Sequence, residues 1–329
     1  MKPSHIGRSL AKLFTATLLG TVLTYGQQYG SAPAWVKGMK TPAPNPLDAS
    51  KVAMGKSLFF DNRLSVDGWI SCSSCHDPMH AFSDARRLSV GVSGQRGKRH
   101  APSLLGRGLG ESQFWDGRAA SLEEQVLQPI VNPDEMGMTF ETVLQRLHQN
   151  PFYRGLTRES LADALASYVR TIRSENNSFD LFISGWPDML SETELEGLRL
   201  FRGKARCYIC HAGNQFTDES FHNTGMAWSG GALQDEGRAA ITGKPYHKGA
   251  FKTPSLREVG QRGPYMHDGS LATLEEVIEF YDRGGNNNPY LDENIVPLHL
   301  SPAEKKALLA FLRNCLTGYI RDGMIKKTN

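Results

Sequence analysis

Cys72-Ser73-Ser74-Cys75-His76 and Cys207-Tyr208-Ile209-Cys210-His211 are two copies of one pattern, C-x-x-C-H, whose first cysteines lie 135 positions apart. The spacing sets two thiols one short turn apart, where both can add to the vinyl groups of a single porphyrin while the next imidazole is held beneath its iron. Two copies predict two covalently bound c-type haems, with His76 the ligand of haem iron 1 and His211 of haem iron 2. A bare C-x-x-C also suits a redox dithiol or half a zinc site. The histidine directly after each pair, without a thioredoxin-like βαβ pattern around it, argues against both.

Working outward, each motif is preceded by G-x-x-L-F on a helical pattern, Gly55-Lys56-Ser57-Leu58-Phe59 and Gly197-Leu198-Arg199-Leu200-Phe201. Downstream, Ala101-Pro102-Ser103-Leu104 matches Thr253-Pro254-Ser255-Leu256, Asp116-Gly117 matches Asp268-Gly269, and Leu122-Glu123-Glu124 matches Leu274-Glu275-Glu276, all at one offset of 152. A constant offset over three blocks indicates duplication. The expected fold is mainly α: two duplicated cytochrome c-like haem domains with long loops, a peroxidatic one over 46–178 and an electron-transfer one over 189–329, divided within Ser174–Asp188. Helices are expected over Ala53–Phe60, Ser121–Pro129, Phe140–Gln149, Arg158–Arg173, Ser191–Arg202, Thr273–Tyr281 and Pro302–Leu316. Ser121 with Glu124, Ser191 with Glu194 and Thr273 with Glu276 fit capping boxes. Gly91–Gly97 and Gly225–Gly237 read as loops around the haem edges, not as phosphate loops.

Residues 1–34 read as a secretory signal: Lys2, Arg8 and Lys12 precede the apolar run Leu13–Leu23, and Ala32-Pro33-Ala34 suits cleavage. The run is short for a membrane span, so membrane association is expected only if that segment is retained, and the location is periplasmic. Its removal takes Lys+Arg from 37 to 34 against 34 Asp+Glu, leaving a neutral chain that haem propionates would make acidic. Charge thus gives no argument for nucleic acid as a partner. Cys315, outside both motifs, reads as a small buried hydrophobe.

The distal sides of the irons decide the chemistry. Tyr281 minus 152 is Pro129, so the same place over the two haems holds a phenol in one half and a residue that cannot ligate in the other. The first iron should be open and the second closed by Tyr281.

Gln113-Phe114-Trp115-Asp116-Gly117-Arg118-Ala119, Glu135-Met136, Thr253-Pro254-Ser255-Leu256-Arg257 and Pro264-Tyr265-Met266-His267-Asp268-Gly269 resemble the signature blocks of bacterial dihaem cytochrome c peroxidases. Phe280-Tyr281 resembles the MauG-like branch, where Tyr replaces an axial Met. The resemblance implies Trp115 as electron conduit between the haems, Glu135 as distal acid/base, and Gln125 and Pro129 in the distal pocket. Chemistry supports Glu135 independently, because cleaving a bound peroxide needs a poorly solvated carboxyl to move a proton between its oxygens.

Departures narrow the reading. The position near Val92, where ordinary members carry a distal His, has none, so no loop movement should be needed to open the first iron. One member of the branch passes oxidising equivalents through a surface Trp two positions before the second motif, and Ala205 stands there in this chain, so the exit route and the substrate should differ from that member's. The family's calcium ligands Asn and Thr read His100 and Arg262, which makes calcium less expected than not. His222 and His267 should make structural hydrogen bonds near the second haem, and His80 is an unneeded rival ligand. The resemblance implies a periplasmic oxidoreductase that uses hydrogen peroxide to reach a high-valent, bis-Fe(IV)-type state and to oxidise residues, Trp above all, of a partner protein. The alternative is a peroxidase fed by a small electron-donor protein; a plain carrier or haem sensor would gain nothing from an open iron and Glu135.

Overall fold

The computed structural model describes residues 44–323, so the secretory-signal reading lies outside the described residues. Helices in chain order are α1 Ala49–Phe59, α2 Leu122–Gln125, α3 Gln128–Val131, α4 Phe140–Leu147, α5 Arg158–Thr171, α6 Ser178–Ile183, α7 Glu192–Arg202, α8 Ala239–Thr242, α9 Leu274–Asp282 and α10 Pro302–Ala310, the last continued as a π-helical turn through Phe311–Cys315. Strands β1 Arg173–Glu175, β2 Phe221–His222, β3 Trp228–Ser229, β4 Ala232–Leu233, β5 Phe251–Lys252 and β6 Tyr319–Arg321 are two or three residues long. They form the antiparallel pairs β1–β6, β2–β5 and β3–β4. The described chain is mainly helix and loop, as the helical spacing and scarce strand signals require.

The G-x-x-L-F repeats show how each core is built. Gly55 meets α5 so closely that an added Cβ would lie 1.9 Å from the Ala164 carbonyl oxygen, and one on Gly197 would lie 2.1 Å from that of Ala307 in α10. Each glycine lets two helix backbones touch, and the Leu and Phe that follow are then driven inward. Phe59 lies edge-on to Tyr168 at 5.1 Å and 6.0 Å from Phe82; Phe201 lies 6.0 Å from Phe216 and 5.4 Å from Phe311. Burying such a ring contributes about 1.5–3 kcal/mol. The resulting cores are separate: one draws on residues from Val52 to Ile172, the other on residues from Phe179 to Leu316.

Features at the 152 spacing also share backbone geometry. The Gln113 N–H donates to the Ala119 carbonyl at 2.8 Å and that of Tyr265 to Leu271 at 2.7 Å. Phe114 and Met266 both take positive φ, 67° and 73°, as do Gly117 and Gly269 at 67° and 63°. Ser121 caps α2 through Glu124 N–H, and Thr273 caps α9 through Glu276 N–H.

Three expectations are corrected. The helix expected over Ser121–Pro129 breaks into α2 and α3 after Gln125, because Pro129 has no N–H to give the Gln125 carbonyl. Ser174–Asp188 is not merely a break: Asn177 accepts the Asp180 N–H to start α6, whose Phe179 and Asp180 are buried. The first helix begins earlier than Ala53, because the Asp48 carboxylate caps Ser50 and Lys51. Cys315 is fully buried in the second core, where burial pushes its thiol up to about 12.

The chain's far end returns to the first core. β6 pairs with β1, Ile320 packs on the first cluster, and Asp322 accepts the Tyr168 hydroxyl at 2.8 Å while pairing with Lys56 at 2.8 Å.

Candidate active site

Each attachment motif begins with a 3₁₀ turn, Cys72–Ser74 and Cys207–Ile209, that aims both cysteines and the following histidine into a cavity. Two buried aromatics then fix the imidazoles. Phe82 and Phe216 adopt φ of 55° and 52°, which turns their carbonyls toward the rings. His76 Nδ1 lies 3.2 Å from the Phe82 oxygen and His211 Nδ1 2.9 Å from that of Phe216. A carbonyl can only accept, so Nδ1 carries the proton and Nε2 keeps its lone pair. Burial pulls both imidazoles down to about 4, which keeps them neutral as a metal ligand must be. Burial likewise pushes the Cys72 and Cys207 thiols up to about 12. Such thiols are poor ions but compatible with thioether bonds. The donor sets fit two c-type haems.

The first cavity, about 1290 Å³, exceeds the ~300–1,000 Å³ of ordinary ligand pockets. Gln125, Pro129 and Glu135 line it together with Cys72, Cys75 and His76. Glu135 is held by a tight turn: Asn132 donates to its Oε1 at 2.7 Å, and Pro129 and Ile130 carbonyls accept from Met136 and Met138 N–H at 3.2 and 2.9 Å. Its own carbonyl accepts the Val92 N–H at 2.9 Å. Gly91 must be glycine here, since an added Cβ would sit 2.1 Å from the Asp134 carbonyl oxygen. Burial raises the Glu135 carboxyl above the usual range, partly offset by the Asn132 hydrogen bond. The loop around Val92 thus clamps the backbone of Glu135. Asn132 had no place in the sequence reading, although Asn-Pro-Asp-Glu is a turn signal that could have named it.

The second cavity is lined by Cys207, Cys210, His211 and Tyr281. α9 places Phe280 wholly in the core and turns Tyr281 to the cavity, the rings 5.4 Å apart and near perpendicular. The Tyr281 hydroxyl has no hydrogen bond to any described residue, and burial raises its pKa far above that of a free phenol, making it a weaker acid. A buried phenol without a partner suits a ligand atom, because an iron would supply what burial withholds.

Trp115 lines both cavities. Its indole N–H donates to the His100 carbonyl at 2.8 Å, and its own carbonyl accepts the Lys252 N–H at 2.8 Å. The His100 N–H in turn donates to the His267 carbonyl at 2.8 Å. Positions 100 and 252, like 115 and 267, differ by 152, so the wall between the cavities is a reciprocal pair of backbone bonds. His267 stacks on Phe251 at 3.7 Å, and its structural hydrogen bond runs through its carbonyl to the His100 N–H and not through the ring. His222 does make hydrogen bonds, Nδ1 to Asp292 at 2.5 Å and Nε2 to Asp218 at 2.9 Å. His80 lines neither cavity and reaches the Gly263 carbonyl at 3.1 Å.

His100 and Arg262 do not suit calcium. The imidazole is engaged by the Ser83 hydroxyl at 3.1 Å and the Arg86 carbonyl at 3.2 Å, and the guanidinium puts a positive charge where a hard cation would need oxygen. Among the described residues no helix is long and apolar enough to cross a membrane.

Comparison with known proteins agrees with this geometry. The family described as di-haem cytochrome c peroxidase matches residues 49–188. A methylamine utilization protein MauG of Methylorubrum extorquens is 40% identical over 287 residues, covering 82% of this chain and 79% of that one. The cytochrome c551 peroxidase of Nitrosomonas europaea is 33% identical over 288 residues, covering 83% and 85%. The crystal structure of a MauG-like protein associated with microbial copper homeostasis superposes with a TM-score of 0.81 at 32% identity, covering 88% of this chain and 95% of that one. A haem oxidoreductase by these relatives, the chain belongs to the MauG-like branch of the dihaem cytochrome c peroxidase family.

Proposed function

We propose that the protein is a periplasmic enzyme of two duplicated haem domains that uses hydrogen peroxide to oxidise residues, Trp above all, of a partner protein. The observation that carries this is the inequality of the cavities: a free phenol, Tyr281, faces the second, while Pro129 and the Glu135 carboxyl face the first. The haems, attached through Cys72 and Cys75 and through Cys207 and Cys210, supply the redox centres at which peroxide is reduced. His76 and His211 would each hold a haem iron through Nε2, and Tyr281 would be a further ligand of the second iron.

Glu135 works through Oε2, since Asn132 occupies Oε1. Oε2 would take the proton from one oxygen of hydrogen peroxide and return it to the other, which leaves as water, while the bound haem would supply the two electrons that cleaving the O–O bond consumes. Gln125 and Pro129 leave room for so small an oxidant and exclude a protein ligand. Trp115, in contact with both cavities, carries electrons between the two sites, its ring fixed by the His100 carbonyl. Relatives named as cytochrome c peroxidases favour a second reading, in which a small donor protein refills the same centres and peroxide removal is the purpose.

Electron paramagnetic resonance of the ferric holoprotein should give one high-spin and one low-spin centre in equal amounts, with Tyr281→Phe altering the low-spin signal alone. Glu135→Gln should slow the reaction with peroxide about a hundredfold or more while both haems stay bound. Two identical low-spin signals, or an unchanged rate, would refute the assignment. Rapid turnover with a reduced small cytochrome c would move the function to the second reading.

A further inference from the structure

Most charges in the wall between the two cavities are matched. Arg99 meets Asp116 at 2.6 Å and Asp235 at 2.7 Å, and Arg107 meets Glu219 at 2.7 Å. Arg262 is different. It lines both cavities, yet no carboxylate of the described residues forms an ion pair with it, and its one hydrogen bond runs from a terminal nitrogen to the Ser255 carbonyl. Glu258 acts on it only through space: its Oε1 accepts the Ser174 hydroxyl and the Gly318 N–H, its Oε2 has no hydrogen-bond partner, and burial raises that carboxyl above the usual range. The Tyr265 hydroxyl donates to the Val259 carbonyl at 2.8 Å. Burial draws the Arg262 guanidinium down to about 10, and the through-space pull of Tyr265 and Glu258 offsets this only in part.

Keeping a guanidinium in such a place is costly unless an anion arrives. The groups that the two cavities are built to take each carry two propionate carboxylates, and a planar fork with five N–H donors is the side chain best shaped to receive carboxylate edges. We propose that Arg262 is a fixed cation shared by the two haem sites, its guanidinium hydrogen-bonded to a propionate of each haem, and that its charge raises the reduction potential of both. A positive charge near an iron favours the state with one electron more, and a single charge lying between two centres ties their potentials together. Arg262 is therefore a positioning residue that acts through the propionates. The inference rests on the two-haem reading above.

The test uses the holoprotein, with covalent loading of two haems verified by intact mass. Arg262→Gln removes the charge and Arg262→Lys keeps it. Redox titration followed by absorption should show both midpoints lowered in Arg262→Gln, each by at least a tenfold change in the oxidised-to-reduced ratio at fixed potential, about 59 mV for a one-electron couple. Arg262→Lys should recover more than half of that shift. If both haems are attached and either midpoint stays put in Arg262→Gln, or Lys restores nothing, the shared-cation role is overturned. A wild-type mass with fewer than two haems would instead overturn the reading beneath it. Should Arg262→Gln fail to assemble, infrared difference spectra of protein carrying haem labelled with carbon-13 at the propionates decide: the carboxylate bands must move between wild type and Arg262→Lys, and unmoved bands overturn the proposal.

Discussion

Arg257→Leu tests how firmly the second attachment site is tied to the segment between the two cores. Arg257 is 1% exposed; two of its nitrogens each meet an Asp180 oxygen at 2.9 Å, and Nε donates at 2.9 Å to the carbonyl of Asn214, in the turn that follows His211. Replacing it strands the Asp180 carboxylate inside the protein, and breaking a buried pair this way costs about 3–5 kcal/mol. At roughly 2–4 °C per kcal/mol for a protein of about this size, the midpoint of thermal unfolding should fall by about 6–20 °C. Removing both charges in Asp180→Leu/Arg257→Leu should restore most of that, because no ion is left unpaired, while the lost Asn214 hydrogen bond still costs about 1 kcal/mol. The assay is thermal unfolding by far-ultraviolet circular dichroism at equal haem loading. A fall below about 2 °C for the single variant, or a double variant no better than the single, would refute the reasoning.

Gly55→Ala and Gly197→Ala should each push apart the helix pair that the glycine joins, with overpacking costs of about 1–3 kcal/mol per site; chemical denaturation of each variant measures this, and wild-type midpoints would show that the helices do not need the close approach. Asn132→Ala removes the hydrogen bond that holds the Glu135 carboxyl down, so Glu135 should protonate at higher pH. Because the carboxylate is the proton acceptor, the rate of reaction with peroxide should fall first on the acid side and stay unchanged on the alkaline side. A uniform loss at every pH would mean that Asn132 only shapes the turn.

Local chemistry made much of this readable in advance. C-x-x-C-H states its own purpose, and the capping residues Ser121, Ser191 and Thr273 lie where the helices begin. The constant offset pairs Pro129 with Tyr281, and each lines its own cavity; proline against phenol is legible in sequence because it is a difference in chemistry, not in packing. What stayed hidden depends on partners far along the chain. Asn177 could be seen as a turn residue, but α6 is held in place by Asp180 meeting Arg257, 77 positions away. Nothing near Arg262 in sequence reveals that no carboxylate of the described residues hydrogen-bonds to it. The break between α2 and α3 was legible in principle: the apolar spacing runs on through Pro129, while the backbone cannot.

The return of β6 to β1 orders the protein's biogenesis. Ile320 and Asp322 complete a core whose other members end at Ile172, so that core cannot close until residues 319–322 have been made. Until then the Cys72 thiol, which lines a wall of the first cavity in the finished fold, stays more accessible than it is there. The second core has no such dependence beyond Leu316. The first core thus depends on a late segment, residues 319–322, that lies beyond all of the second.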